Sequence, residues 1–300
     1  MSTYSIKDLE RISSQKAHTI RIWEQRYNLL EPNRSDTNIR SYNDDQLKKL
    51  LNVCTLMNKG MKISHISKLS KKEIAAEIDL IIADSFQGDV HIQAIINQAL
   101  IAIATYDVAL FDQLFSNALQ RMGLKKTYMR ILYPLLVRAG LMWTKDDLLP
   151  SQEHFLSNLI RQKLFTAIDS LPLAQEPDQT WILFLNAEEN HEIGLLFAYH
   201  LLRQHGKKVI YLGAQVPYDD LFNVAKECKP THLYTFFVRN SPISEVEKYL
   251  TKLGTDFSNT KICFSGGDDN LREVAVKKEM TFISTVESLT EMLINTNDSI

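Results

Sequence analysis

Glu189-Asn190-His191-Glu192-Ile193-Gly194 sets an acid two residues before a histidine and a glycine three residues after it. A carboxylate at that spacing can accept the N–H of one imidazole nitrogen, which fixes the tautomer and leaves the other nitrogen's lone pair for a metal. Gly194 leaves space for something bulky to approach the start of the following helix. A second acid–imidazole pair, Glu153-His154, lies just past Pro150, with nine residues between it and Trp143. Nearer the N-terminus, Lys16, His18 and Arg21 fall on one short helical stretch, and Arg34 and Arg40 bracket the polar run from Pro32 to Arg40. Residues 1–75 hold fourteen Lys and Arg against eight Asp and Glu, although the whole chain has a net charge of −2. A basic block on an acidic remainder points to a local polyanion partner.

Other chemistry finds less support. Cys54, Cys228 and Cys263 are scattered and odd in number, with neither a disulfide framework nor metal-ligand spacing. They read as buried free thiols in a reducing cytoplasm. The sequence shows no Ser-His-Asp array, phosphate-cradling glycine loop or metal cluster that would support independent catalysis. Residues 1–10 lack the apolar core of a signal peptide, and no apolar run nears the roughly 20 residues a membrane helix needs. The expectation is a cytoplasmic protein with no membrane partner and no enzymatic activity of its own.

The elements that must position these residues separate by period. Ser5 is a candidate cap for a first short helix, followed by a turn at Ser13-Ser14 and a second helix carrying Lys16 to Glu24. Two short helices across a tight turn make a helix-turn-helix, and the polar excursion after it is a candidate wing that could reach phosphates. Helices over about 43–59 and 63–69 close the unit. From 76 to 171, Leu100, Ala104, Leu110, Leu114, Leu119, Ile131, Leu135 and Leu136 recur at helical spacing, which predicts a helical bundle. After a Pro-bearing linker at 171–178, strands at 181–185, 209–212, 233–238, 261–265 and 281–284 alternate with helices. That alternation predicts a parallel sheet covered on both faces, with ligands at the carboxyl ends of its strands.

Ile20-Arg21-Ile22-Trp23-Glu24, Leu29-Leu30, Pro32, Arg34 and Arg40-Ser41-Tyr42 through Leu47 resemble the winged helix-turn-helix of MerR-type regulators. The resemblance implies that Lys16, His18 and Arg21 face the major groove while Arg34, Arg40 and Tyr42 grip phosphates of double-stranded promoter DNA. The acid-x-His-x-x-Gly run resembles a cobalamin-binding motif, in which the histidine ligates cobalt from below. That likeness implies roles beside the nucleotide tail for Gly213, Gly266 and Gly267. Trp143 with Glu153-His154 resembles the cap of light-sensing MerR-type repressors that use adenosylcobalamin, where the tryptophan covers the upper face and the histidine can ligate cobalt from above.

The fold class this implies is multidomain α and α/β: a winged helix-turn-helix over 1–75, a four-helix-type bundle over 76–172 and a Rossmann-like cobalamin-binding domain over 178–295. Its implied state is a homo-oligomer, dimer or tetramer, whose DNA binding follows the cofactor and light. One departure stands out: Phe236 occupies a place where the family has a small serine lining the nucleotide-tail channel. Its ring either blocks that channel or stacks on the displaced base. Two alternatives stay open on sequence: a regulator with an empty sensor pocket, and a corrinoid methyltransferase module.

Overall fold

The computed structural model describes the chain outside residues 1–3, 14, 35–39, 84–88, 144–148, 175–178, 239–241, 267–269 and 296–300, and outside the side chains of residues 11, 82–83, 141–143, 270 and 295. The described residues form two compact units, 1–158 and 159–300.

In the first unit, α1 (Ile6–Ser13) starts at Ser5. The Ser5 hydroxyl accepts the Asp8 N–H at 3.3 Å and the Asp8 carboxylate accepts the Ser5 N–H at 2.5 Å, a reciprocal cap. Helix α2 (Ala17–Tyr27) buries Ile20, Trp23 and Glu24, the i, i+3, i+4 spacing of one helical face. It stops where Asn28 takes a left-handed φ of 49°. Strands β1 (Asn33–Arg34) and β2 (Arg40–Ser41) pair antiparallel, so the polar excursion is a short hairpin whose tip, 35–39, lies outside the described residues. Helices α3 (Asp44–Asn58), α4 (Ile63–Ile66) and α5 (Lys71–Ala83) follow, with α3 opened by a capping box between Asn43 and Gln46.

Glu24 ties the wing to α2. Its side chain is only 6% exposed, and it accepts from the Tyr42 hydroxyl and from Arg40 Nε at 3.2 Å. A buried carboxylate is costly unless its lone pairs are filled, and the two residues bordering the wing fill them.

The rest of the unit is the bundle. α6 (Asp89–Ala104) is buried on all sides from Ala94 to Ile103, including Asn97 and Gln98, as befits a central helix apolar nearly all round. α7 (Val108–Thr127) is kinked at Gly123, whose φ is +74°, and passes through a π-helical turn at Tyr128–Leu132 into α8 (Tyr133–Trp143). α9 (Pro150–Asp169) runs through the boundary between the units. Leu100, Leu114, Ile131 and Leu135 are buried as expected, whereas Leu119 is 36% exposed.

The second unit holds β3 (Thr180–Asn186), α10 (Ile193–Gln204), β4 (Lys208–Val216), α11 (Tyr218–Cys228), β5 (His232–Phe237), α12 (Ile243–Asp256), β6 (Lys261–Gly266), α13 (Asn270–Lys277), β7 (Thr281–Phe282) and α14 (Val286–Asn295). The five strands are parallel in the order β4-β3-β5-β6-β7. Ile182 and Phe184 point to a core shared with α11, α12 and α13, while α10 packs on β3, β4 and β5. Strand β3, first in sequence, lies between β4 and β5, so the chain leaves it in one direction and later returns on its other side. This is the switch point at which such sheets bind ligands.

The Glu24 tie predicts unequal costs for the wing arginines. Arg40→Ala and Tyr42→Phe should each destabilise the head by about 1–3 kcal/mol, because each strips a buried carboxylate of a donor. Arg34→Ala, at an exposed position, should change stability by less than about 0.5 kcal/mol. Hydrogen-exchange protection of the α2 and α3 amides measures the difference; equal protection in all three variants would remove Glu24 from its structural role.

Candidate functional site

Strand β3 ends at Asn186 and delivers the loop that carries the acid and the histidine. The Glu189 carboxylate is 2% exposed as a residue. Its Oε1 accepts the Asn190 N–H at 3.0 Å, the His191 N–H at 3.1 Å and meets His191 Nδ1 at 2.6 Å. Its Oε2 accepts the Val238 N–H, just past β5, at 2.9 Å. The Glu189 carbonyl accepts from Gln215 N at 3.1 Å on β4. The loop is therefore fastened to both strands flanking the switch point. The His191 side chain is 59% exposed at the carboxyl edge of the sheet. With Glu189 ionised, Nδ1 carries the proton and the ring's lone pair is on Nε2, the donor arrangement a metal requires.

Glu192, next along, is held from the other side. Arg161 Nε of α9 lies 2.8 Å from its Oε1, and the Tyr211 hydroxyl donates to its Oε2 at 2.8 Å. Burial, reinforced by that hydrogen bond, pushes the Tyr211 phenol above its ordinary range. Tyr211 also stacks on Tyr199 with ring centroids 5.2 Å apart.

The glycines are explained by close neighbours within the fold. A Cβ on Gly194 would sit 3.1 Å from Phe236 Cε1, so the space this glycine leaves at the helix start is taken by the Phe236 ring. Gly213, with φ of +79°, makes room for Tyr211 and the Glu192 carboxylate. A Cβ on Gly266 would run into Leu271 Cδ1 and lie 2.8 Å from the Phe237 carbonyl oxygen. Gly267 lies outside the described residues. The donor set thus fits a metal centre ligated from one side, while the glycine hollows around it are lined by the chain's own side chains.

In the first unit, His154 Nδ1 lies 2.9 Å from Glu153 Oε2, with the histidine 72% exposed. The Ser157 hydroxyl donates to Glu153 Oε1, which steadies the acid. One turn away Tyr106 meets the Ser151 hydroxyl at 2.7 Å and sets its ring edge-on to Phe155. Trp143 closes α8, and its side chain lies outside the described set.

The head presents His18 and Arg21 on the exposed face of α2, opposite its buried face, with exposed Lys16 at the helix start and Arg34 on β1. Lys16 Nζ pairs with Glu10 at 3.3 Å. Tyr42 is 1% exposed and its hydroxyl is given to Glu24, so it braces the wing from inside. Arg40 is also turned inward, to the same carboxylate. Sequence reasoning missed Glu24 as the partner of both; a lone acid on the buried face of α2 was the available signal.

Residues 4–73 match the model of the MerR HTH family regulatory protein, and residues 95–167 match that of a B12 binding domain. The chain is 28% identical over 254 residues to the HTH-type transcriptional repressor CarH of Myxococcus xanthus, covering 84% of each protein. It is 25% identical over 239 residues to the HTH-type transcriptional repressor CarA of the same organism, covering 79% of this chain and 77% of that one. The monomethylamine corrinoid protein of Methanosarcina barkeri superposes with a TM-score of 0.53 over 68% of this chain and 95% of its own, at 14% identity, which shows a common fold. The two matched domains, together with the repressor relatives, make the chain a MerR-type DNA-binding regulator equipped with a B12-binding domain.

Proposed function

We propose that the chain is a cytoplasmic repressor that binds promoter DNA as a homo-oligomer, dimer or tetramer, under the control of adenosylcobalamin and of light. The observation that carries the reading is the Glu189–His191 dyad at the switch point of the sheet, in a chain whose residues 4–73 form a MerR head. The names of both curated relatives support the sign of regulation. The likeness to a corrinoid protein is one of fold, and the regulator reading needs no catalytic step. The division of labour would be DNA reading over 1–75, a cap over 76–172 and cofactor holding over 178–295.

His191 would hold cobalt through Nε2 while Glu189 keeps the ring in its tautomer and orientation. When bound, adenosylcobalamin supplies a photolabile cobalt–carbon bond. Trp143, Glu153 and His154 are assigned to the opposite face, and Gly267 to the tail, on sequence resemblance alone. Gly194, Gly213 and Gly266 are assigned to the cofactor on the same resemblance, and their near neighbours are Phe236, Tyr211 with Glu192, and Leu271 in turn. Oligomerisation follows from recognition, since one winged helix buries too little surface to select among genomic sites and a second copy doubles it.

Three outcomes test this. Arg34→Ala should weaken binding to all duplexes and lower the slope of log affinity against log salt by about one, as loss of a phosphate contact does; an unchanged slope would remove Arg34 from the wing's grip. His191→Ala should weaken cobalamin retention and shift the cobalt absorption spectrum toward the form without protein ligation, and Phe236→Ser, which empties the space beside Gly194, should tighten it. Stoichiometric binding with an identical spectrum in His191→Ala would take His191 out of the site. Size-exclusion chromatography with adenosylcobalamin, in the dark and after green illumination, tests the switch, because a ligand favours only the state it binds better. A larger species in the dark that dissociates on illumination is expected; one that survives illumination would leave a cobalamin-dependent regulator without a light switch.

A further inference from the structure

Arg138, on α8 of the bundle, reaches the DNA-reading head. Its Nη2 donates to the carbonyl of Ile12, in the last turn of α1, and its Nη1 donates to the Asn97 side-chain oxygen at 3.1 Å. Asn97, on α6, passes its amide on to the Thr55 hydroxyl of α3 at 3.1 Å, and Thr55 bonds back to the Leu51 carbonyl at 3.0 Å. Beside this chain Gln98 donates to Asn52 at 2.7 Å. Ile12, Thr55 and Asn97 are each less than 5% exposed. The α8 guanidinium therefore joins α1 to α6, and Asn97 carries the chain on to α3.

The last carbonyls of a helix have no intrahelical donors, and a cation at that end also meets the negative pole of the helix dipole. Ile12 stands where α1 gives way to the turn that aims α2. The described residues flanking that turn are tied down in kind: the Ser13 hydroxyl donates to the Leu9 carbonyl and accepts from Gln15 N, and the Glu10 carboxylate accepts the Ala17 N–H at 3.1 Å. Arg138 supplies the one tie in this set that comes from the bundle. Among the described residues both its acceptors are neutral, so this partly buried cation loses compensation when either hydrogen bond breaks. A planar fork with two fixed acceptors tolerates little sliding of α8 against α1.

We infer that Arg138 is a positioning residue for DNA reading: through Ile12 and Asn97 it sets the angle at which α2 is presented, so that specific recognition depends on where α8 lies. The inference goes beyond the cofactor reading and holds whichever ligand the bundle serves. It extends to a definite regulatory consequence, since any signal that moves α8 changes base reading without touching a phosphate contact.

The test uses the full-length chain and a duplex selected from random sequence, with an unrelated duplex as control. Affinities for both are measured by fluorescence anisotropy at three salt concentrations for wild type, Arg138→Met and Arg138→Lys. Arg138→Met should weaken specific binding by about tenfold or more while nonspecific binding stays within about twofold and the salt slope is unchanged, because base contacts need the aimed helix and phosphate contacts do not. Arg138→Lys, which keeps the charge but not the fork, should fall between. If Arg138→Met fails to fold, Thr55→Val, which deprives Asn97 of its acceptor, and Arg138→Lys carry the same comparison. Specific and nonspecific affinities that fall together, a changed salt slope, or specific affinity that is unchanged or raised would each overturn the inference.

Discussion

A buried carboxylate must have its lone pairs filled, and Glu189 meets that demand from its own loop and from the residue past β5. Removing an ionised acid from water costs several kcal/mol unless hydrogen bonds replace the lost hydration. Here three backbone N–H groups and an imidazole converge on the two oxygens, and they come from the loop itself and from the residue past β5. The loop after β3 thus has its shape fixed, α10 begins at a set place, and the His191 ring stands at a set angle over the sheet edge. The longer reach of glutamate matters, since the same side chain bonds its own loop with one oxygen and Val238 with the other.

The head solves the same electrostatic problem differently. Glu24 is compensated by a cation and a phenol, which neutralises the charge and spends Arg40 and Tyr42 on holding the wing. Burial and the adjacent carboxylate push the Tyr42 phenol above its ordinary range, so it remains a donor throughout the pH range in which the protein works. Lys16, His18, Arg21 and Arg34 carry the outward basic character. Arg138 is the inverse case, a cation compensated by a helix end and an amide. Burial lowers its pKa, yet a guanidinium stays charged, so the protein answers with geometry because it cannot answer with deprotonation.

What was legible in the sequence was local. Trp181 to Leu185 reads as a strand because five apolar residues stand between polar stretches, and Glu189-x-His191 reads as a donor pair because its partners are two residues apart. The apolar run by which strand β4 is read in the sequence ends at Leu212. In the structure Gly213 sits at a register shift between β3 and β4, where a positive φ lets the strand bulge and continue to Val216. The Glu24–Tyr42 and Arg138–Ile12 bonds join residues 18 and 126 positions apart, and no periodicity signals such pairs. Phe236 was conspicuous as an aromatic where a small residue was expected; that it lands on Gly194 required the register of β5 against α10.

The surroundings of His191 decide how it can be used. Toward β5 the Phe236 ring fills the hollow over Gly194, and Tyr234 lies behind it at 5.0 Å between ring centroids. Toward β4, Glu192 is clamped by Arg161 and Tyr211, and Tyr211 is itself stacked on Tyr199 with the Arg203 guanidinium over that ring. Both flanks are packed by side chains with their own partners. The exposed direction is away from the sheet edge. A ligand held through His191 therefore meets a donor whose orientation was fixed during folding, and little further ordering of that side chain is needed on binding. The same bonds tie the way His191 is held to Glu189, and through Glu189 to Gln215 on β4 and to Val238 just past β5.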